Sequence, residues 1–123
     1  MNPAARLAGA MLAGAAFAAG AAPEPPPLPG RHTAQLCVAT SAAPPSCGPA
    51  QADLRADGSL RVRVDDVVYN LQLRAKAVEI VVMHNVVQID EFVVPYEWVG
   101  RTLRFQDDER HSRYEIRFAD QRR

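Results

Sequence analysis

The amino-acid sequence predicts an all-β domain, a small antiparallel meander of about eight strands that forms a closed barrel or a two-layer sandwich. Apolar and polar residues mostly alternate from Thr33 onward, and this period of two is typical of strands with one buried face. The connections between these segments are short, which forces neighbouring strands to run antiparallel. Residues 73–83 are long enough for a helix, but their β-branched residues disfavour one. Closure into a barrel would remove exposed sheet edges, and the sandwich stays open as the alternative.

The first four strands are predicted over about residues 33–39, 51–55, 60–65 and 67–74. Asp57-Gly58 supplies a hairpin turn between the second and third strands, because both residue types tolerate positive φ. Asp65-Asp66 can form a two-residue turn between the third and fourth strands.

The later strands begin with two segments, residues 78–84 and 86–94, that carry apolar groups on both faces. Such strands are buried on both sides, or one side meets a partner. Pro95 cannot donate a hydrogen bond to a neighbouring strand, so it marks an edge or a bulge. Further strands are predicted around residues 96–98, 103–105 and 113–118, with turns at 100–101 and 107–110.

Length and charge exclude several classes of protein. The chain has 123 residues, which is enough for one domain at most. Its 14 lysines and arginines balance 14 aspartates and glutamates, so no basic excess is available to bind phosphates. A multidomain enzyme, a polytopic membrane protein and a typical nucleic-acid-binding domain are therefore excluded.

Residues 1–21 have the parts of a cleaved secretory signal peptide. Arg6 precedes an apolar run over residues 7–19, and the small residues Ala19 and Ala21 fit a cleavage site. The run is mostly alanine, which is too weakly apolar for a membrane anchor. We therefore expect a periplasmic or secreted protein with no membrane span after cleavage.

Three further regions follow the predicted signal peptide. Residues 22–31 contain five of the ten prolines and predict an extended, flexible arm. Residues 32–120 form the β-domain, and residues 121–123 form a short tail.

Cys37 and Cys47 are the two cysteines of the chain. An even number in an oxidising compartment predicts a disulfide, which would close a loop over residues 38–46. A redox pair usually has two intervening residues, and a metal site would need two more ligands nearby. We expect a structural disulfide and no cofactor or metal.

The three histidines do not predict a catalytic or metal site. His32 lies where the arm joins the domain, His84 lies at a predicted hairpin tip and His111 lies at the start of the last strand. His84 could meet Asp90 or Glu91 across a hairpin, but no motif brings further partners to it. We therefore expect a protein that is not an enzyme.

The segment from Met83 to Trp98, together with Val81, is the candidate partner surface. It combines apolar groups on both faces with aromatic residue types that are enriched at binding hot spots. A small barrel has one interior, so the apolar residues left outside should form a patch. The candidates, only some of which should lie outside, are Val81, Met83, Val87, Ile89, Tyr96 and Trp98.

Four short segments carry a resemblance to other proteins: LCVA at 36–39, CGPA at 47–50, QIDEF at 88–92 and YEW at 96–98. With these segments the chain resembles small exported proteins of unknown function from high-GC proteobacteria, which implies export but no particular activity. Its length, its leader and its predicted disulfide are also similar to those of periplasmic lysozyme inhibitors of the small β-barrel type, but its cysteines are closer together. The Ser-Gly-containing inhibitory loop of that family has no match, because the sequence contains no Ser-Gly dipeptide.

Together these features predict an exported binding module of the cell envelope that recognises a protein or another envelope partner. A structural or self-associating envelope component is the alternative. A small hydrolase inhibitor and an enzyme are further possibilities.

Overall fold

The computed structural model describes residues 24–119, so the predicted signal peptide, the start of the arm and the end of the chain from residue 120 lie outside it. Within this range the chain is all β and has nine strands. They are β1 (Gly30–Thr40), β2 (Ala43–Leu54), β3 (Ser59–Val64), β4 (Val67–Leu73), β5 (Val78–His84), β6 (Val87–Val94), β7 (Tyr96–Val99), β8 (Thr102–Asp107) and β9 (Ser112–Phe118). Among the described residues, no helix has the length and hydropathy to cross a membrane.

The nine strands form one antiparallel sheet in the order β6-β5-β4-β3-β2-β1-β9-β8-β7. Each strand pairs with its neighbour in the chain except across the break between β6 and β7, and β1 also pairs with β9. The result is a meander curled into a nearly closed barrel with one disulfide. The predicted fold class is confirmed.

The barrel interior is filled by the inward-facing residues of successive strands. Alternation along β5, for example, turns Val78, Ile80 and Val82 inward, as the sequence pattern predicts. The most deeply buried side chains are Leu60, Val62, Val78, Ile80, Leu103 and Ile116. Each inner strand is hydrogen-bonded to a strand on either side. Its buried backbone N–H and C=O groups are therefore paired within the sheet.

The turn between β2 and β3 forms at the predicted Asp57-Gly58 pair. The side chain of Asp57 accepts hydrogen bonds from the backbone nitrogen and the hydroxyl of Ser59, at 2.9 and 2.8 Å. Gly58 has φ +90°, and a Cβ at this position would lie 2.7 Å from the carbonyl oxygen of Leu73. The turn therefore requires glycine both for its backbone conformation and for its close approach to β4.

The predicted turns at 65–66 and 100–101 are confirmed, and the turn predicted at 107–110 lies one residue later, because Asp107 belongs to β8. Asp65 in the β3–β4 turn and Gly100 in the β7–β8 turn have φ of 55° and 61°. Asn85, in the β5–β6 turn, has φ 57°. Asparagine and aspartate tolerate this left-handed region better than other residues with a side chain.

The disulfide is confirmed, but the predicted loop over residues 38–46 is wrong. β1 continues to Thr40 and β2 begins at Ala43, so Cys37 and Cys47 lie directly opposite each other on paired strands. This part of β2 contains Pro44, Pro45 and Pro49. Pro44 and Pro45 lie where the pairing of β1 with β2 shifts register between Val38 and Thr40, so neither stands opposite a paired residue. β3 pairs with β2 only over residues 51–54, which leaves one side of residues 43–49 without a strand partner among the described residues.

Residues 24–29 have no regular secondary structure and lead into β1, which begins inside the predicted arm. Pro27 is nevertheless buried. Nε2 of His32 lies 2.7 Å from the carbonyl oxygen of Leu28, and the ring of His32 packs edge-on against Phe118. These contacts attach the end of this segment to the barrel.

The seam of the barrel lies between β6 and β7, which are the two ends of the sheet. Pro95 stands between them, which confirms its prediction as an edge residue. At one end of the seam, Arg110 forms ion pairs with Asp90 of β6 at 2.7 Å and with Asp107 of β8 at 2.8 Å. At the other end, the Tyr96 hydroxyl donates a hydrogen bond to the carbonyl oxygen of Arg74 at 2.6 Å. Side chains therefore link the barrel where strand pairing stops.

Candidate functional site

Three of the six predicted surface residues, Val81, Met83 and Ile89, lie on the outer face of the same hairpin, and Val87 lies exposed at its tip, opposite His84. Val81 and Met83 face outward on β5, because the residues that alternate with them are buried in the core. Val87 and Ile89, at the start of β6, are 58% and 57% exposed. The two-sided apolar pattern of this hairpin therefore reflects one face in the core and one face at the surface.

Tyr96 and Trp98 lie elsewhere. They are the inward-facing residues of β7, and both are half-buried against the core. The ring of Trp98 lies 5.8 Å from that of Phe118, and the hydroxyl of Tyr96 links the seam to Arg74. These aromatic side chains hold the barrel together and do not extend the exposed patch.

Sequence reasoning left two residues out of the patch. Val93 on β6 is 62% exposed, and Val68 on β4 lies directly opposite Met83 on the outer face. Val93 could have been found from the alternation of β6, since Phe92 and Val94 on either side of it are buried. Alternation along β4 also places Val68 on the outer face, but its position beside Met83 depends on how β4 is aligned with β5.

We define the β4–β6 outer surface as Val68, Val81, Met83, Ile89 and Val93. The alignment of β5 with β6 places Val81 opposite Glu91 and Val93 opposite Glu79. Directly opposed side chains lie about 5 Å apart and diagonal ones about 7–8 Å apart, so these apolar groups are contiguous. A bulge at Ile89 interrupts the regular pairing and leaves its side chain exposed.

Two carboxylates lie in this surface and differ in their partners. Glu79 forms an ion pair with Arg74 at 2.8 Å, and the hydrogen bond from Arg74 lowers the pKa of this carboxyl. Glu91 accepts a hydrogen bond from the side chain of Gln88 at 3.1 Å. No cation lies within ion-pair distance of Glu91 among residues 24–119. The surface thus combines apolar side chains with one carboxylate whose charge is not balanced locally.

No protein-family model, curated protein or solved structure matches this chain. The resemblances noted from the sequence therefore stay predictions.

His84 does not meet either of the carboxylates that the sequence suggested. Its Nε2 lies 3.1 Å from a carboxylate oxygen of Asp66, on the neighbouring hairpin tip, and both side chains are exposed. The backbone nitrogen of Asn85 also donates to the carbonyl oxygen of Asp66. The pair therefore ties two hairpin tips together. Among the described residues, no group of three or more histidine, cysteine, aspartate or glutamate side chains could hold a metal ion.

Two tyrosines lie at the end of the barrel where Arg110 links the seam. Burial raises the pKa of the Tyr69 hydroxyl, and the nearby charge of Asp90 raises it further. Burial likewise raises the pKa of the Tyr114 hydroxyl, with a smaller effect from Tyr69. The ring of Tyr114 stacks on Phe105 at 5.0 Å and on Phe92 at 5.8 Å. This aromatic cluster fills the barrel end and packs the two sides of the seam together.

Proposed function

We propose that the protein is an exported, non-enzymatic binding domain of the cell envelope and that its β4–β6 outer surface contacts a protein partner. The observation that carries the proposal is the exposure of Ile89 and Val93 beside Val81 and Met83. Large contiguous apolar patches are rare on the surfaces of monomeric proteins, and where they occur they mark interaction sites. The disulfide between Cys37 and Cys47 supports an oxidising compartment such as the periplasm.

The chemistry of the surface defines the partner that suits it. Burial of Glu91 without a counter-charge would be costly, so the partner should present a lysine or arginine opposite it. The rest of the contact should be apolar, to match the valines and Ile89. A protein surface that combines aliphatic groups with one basic residue meets both requirements.

Self-association is the second candidate, and one observation favours it. β6 is an end of the sheet, and its residues 87–94 contain no proline to block pairing with a strand of another copy. Its charges count against this arrangement, because β6 contains Asp90 and Glu91 but no basic residue. Antiparallel pairing of two copies of β6 would bring acidic side chains of both copies close together, which destabilises the pairing.

The test is affinity capture from a periplasmic extract with the tagged, exported chain, compared with Ile89→Glu and Val93→Glu variants. Val99→Glu is the matched control, because Val99 is 48% exposed on β7 and lies away from the surface. Trp98→Ala is unsuitable, because it would remove a side chain that packs on the core. We expect a protein that is retained by wild type and Val99→Glu but lost by both other variants.

Size-exclusion chromatography with light scattering separates the two candidates. We expect the exported chain alone to be monomeric. A stable oligomer that Ile89→Glu dissociates, with no captured protein, would replace the proposed partner with self-association. Retention of the same proteins by all four forms would show that the surface is not used for binding.

A further inference from the structure

A second feature lies on a different part of the barrel wall from the β4–β6 outer surface. It is a cleft of about 530 Å³ on the outside of β1, β9, β8 and β7, bordered by Pro45 near the tip of the β1–β2 hairpin. Sites for small ligands have volumes of roughly 300–1,000 Å³. The cleft is therefore large enough for a small ligand.

Two buried residues on the outer side of β1 line this cleft. Cys37 and Ala39 face away from the barrel interior, since they alternate with the core-facing Leu36 and Val38, yet they are only 4% and 8% exposed. Pro45 and Pro95 line the cleft as well. This part of the cleft consists of small apolar groups with few rotatable bonds.

Most of the charged groups in the cleft are paired with one another. Arg104 lies 3.5 Å from Glu115 and 3.9 Å from Glu97, along a row of directly opposed residues on three strands. Arg117 also forms an ion pair with Glu115, at 2.8 Å. The two glutamates and these two arginines therefore compensate each other and leave little net charge for a ligand.

Two charged residues that line the cleft, Arg113 and Asp108, form no ion pair with another described residue. Arg113 is the cation of the two. It is exposed in the cleft between Ala39 on one neighbouring strand and Gln106 on the other. Gln106 uses its amide nitrogen to donate to Asp108 at 2.6 Å. No carboxylate lies within 4.0 Å of the Arg113 guanidinium in the part of the chain that the structure describes. Its five N–H donors are available to a planar acceptor.

We propose that this cleft binds a carboxylate on a short apolar chain, as at the free C-terminus of a peptide with small side chains. A guanidinium can donate two parallel hydrogen bonds to one carboxylate, a bidentate geometry that the ammonium group of a lysine does not offer. The apolar part of the ligand lies against Ala39, Pro45 and Pro95. Nothing in this proposal depends on the β4–β6 outer surface, so either site can fail without the other.

The test uses N-acetyl-alanyl-alanine as the probe and its C-terminal amide as the matched control, titrated into ¹⁵N-labelled protein and followed by NMR. We expect saturable shifts of the Ala39, Gln106 and Arg113 amides with the free acid. The amide should bind at least about tenfold more weakly, because it lacks the charge-assisted hydrogen bonds.

Two variants assign the effect to Arg113. Arg113→Gln should abolish the saturable shifts, and the spectrum of the unbound protein reports whether the fold is retained. Arg63→Gln, which changes an exposed arginine on β3 outside the cleft, should bind like wild type. Equal binding of acid and amide, wild-type binding by Arg113→Gln, or no saturation at millimolar peptide would each overturn the proposal.

Discussion

Gly58 illustrates how a single residue sets a turn in this barrel. Its φ of +90° lies in the region that favours glycine, and the position of its missing Cβ is already occupied by the Leu73 carbonyl. We predict that Gly58→Ala lowers the free energy of unfolding by about 1–3 kcal/mol. Gly48→Ala is the control, because a Cβ there meets no atom within 4 Å. Urea denaturation with the disulfide intact would measure the free energy of unfolding of both variants. Equal stabilities of the two variants would contradict the proposed role of Gly58.

Tyr69 and Tyr114 give the molecule a predictable response to alkaline pH. Their pKa values in the folded protein are raised above the ordinary value of 10.0, mainly by burial. The unfolded chain therefore releases these protons first, so their contribution to stability is full below pH 10 and is lost as the pH rises through the folded pKa values. We predict that wild type loses stability more steeply above pH 10 than a Tyr69→Phe/Tyr114→Phe variant does.

Denaturant unfolding over a series of pH values would measure this difference, since the other titrating groups are common to both proteins. Parallel curves for wild type and the double variant would mean that the two hydroxyls do not resist ionisation in the folded state.

At the level of the strands, the seam between β6 and β7 is the place where side chains, and not strand pairing, close the barrel. Arg110 interacts with Asp90 and with Asp107, which is only 3% exposed. Its hydrogen bond to Asp107 raises the pKa of the guanidinium, consistent with a stable ion pair. We predict that Arg110→Gln lowers the free energy of unfolding by about 2 kcal/mol, because it leaves a buried carboxylate without its cation.

Arg74→Gln is the matched control for the seam. The ion pair between Arg74 and Glu79 is exposed on both sides, and pairs of this kind contribute about 1 kcal/mol or less. Thermal unfolding of the two variants would compare them directly. An Arg110→Gln protein as stable as Arg74→Gln would show that the seam does not depend on this link.

The β1–β2 hairpin shows where reasoning from the sequence fails at the level of an element. Prolines at 44, 45 and 49 argue against a strand in isolation, yet β2 runs through all of them. They fit because Pro44 and Pro45 lie at a shift in the β1–β2 pairing and because one side of this segment has no strand partner among the described residues. The same prolines make this exposed edge a poor template for pairing with another chain.

For the whole molecule, alternation and turn residues were sufficient to predict the fold class, because each depends only on neighbouring residues. The partners of individual side chains depend on how distant strands align. The pairing of His84 with Asp66 and the position of Val68 beside Met83 follow from such alignments and could not be predicted. Tyr96 and Trp98 share the inward-facing side of β7, so they pack on the core and do not belong to the outer surface with which the sequence pattern grouped them.

At the scale of the whole molecule, the β4–β6 outer surface is proposed to bind a protein partner. The affinity of the captured partner tests this proposal most directly. Titration calorimetry would give the Kd of that partner for wild type, Ile89→Glu and Val99→Glu. We predict that Ile89→Glu weakens binding by about 30-fold, or about 2 kcal/mol, while Val99→Glu leaves the Kd unchanged. Equal Kd values for the three folded proteins would contradict the assignment of this surface.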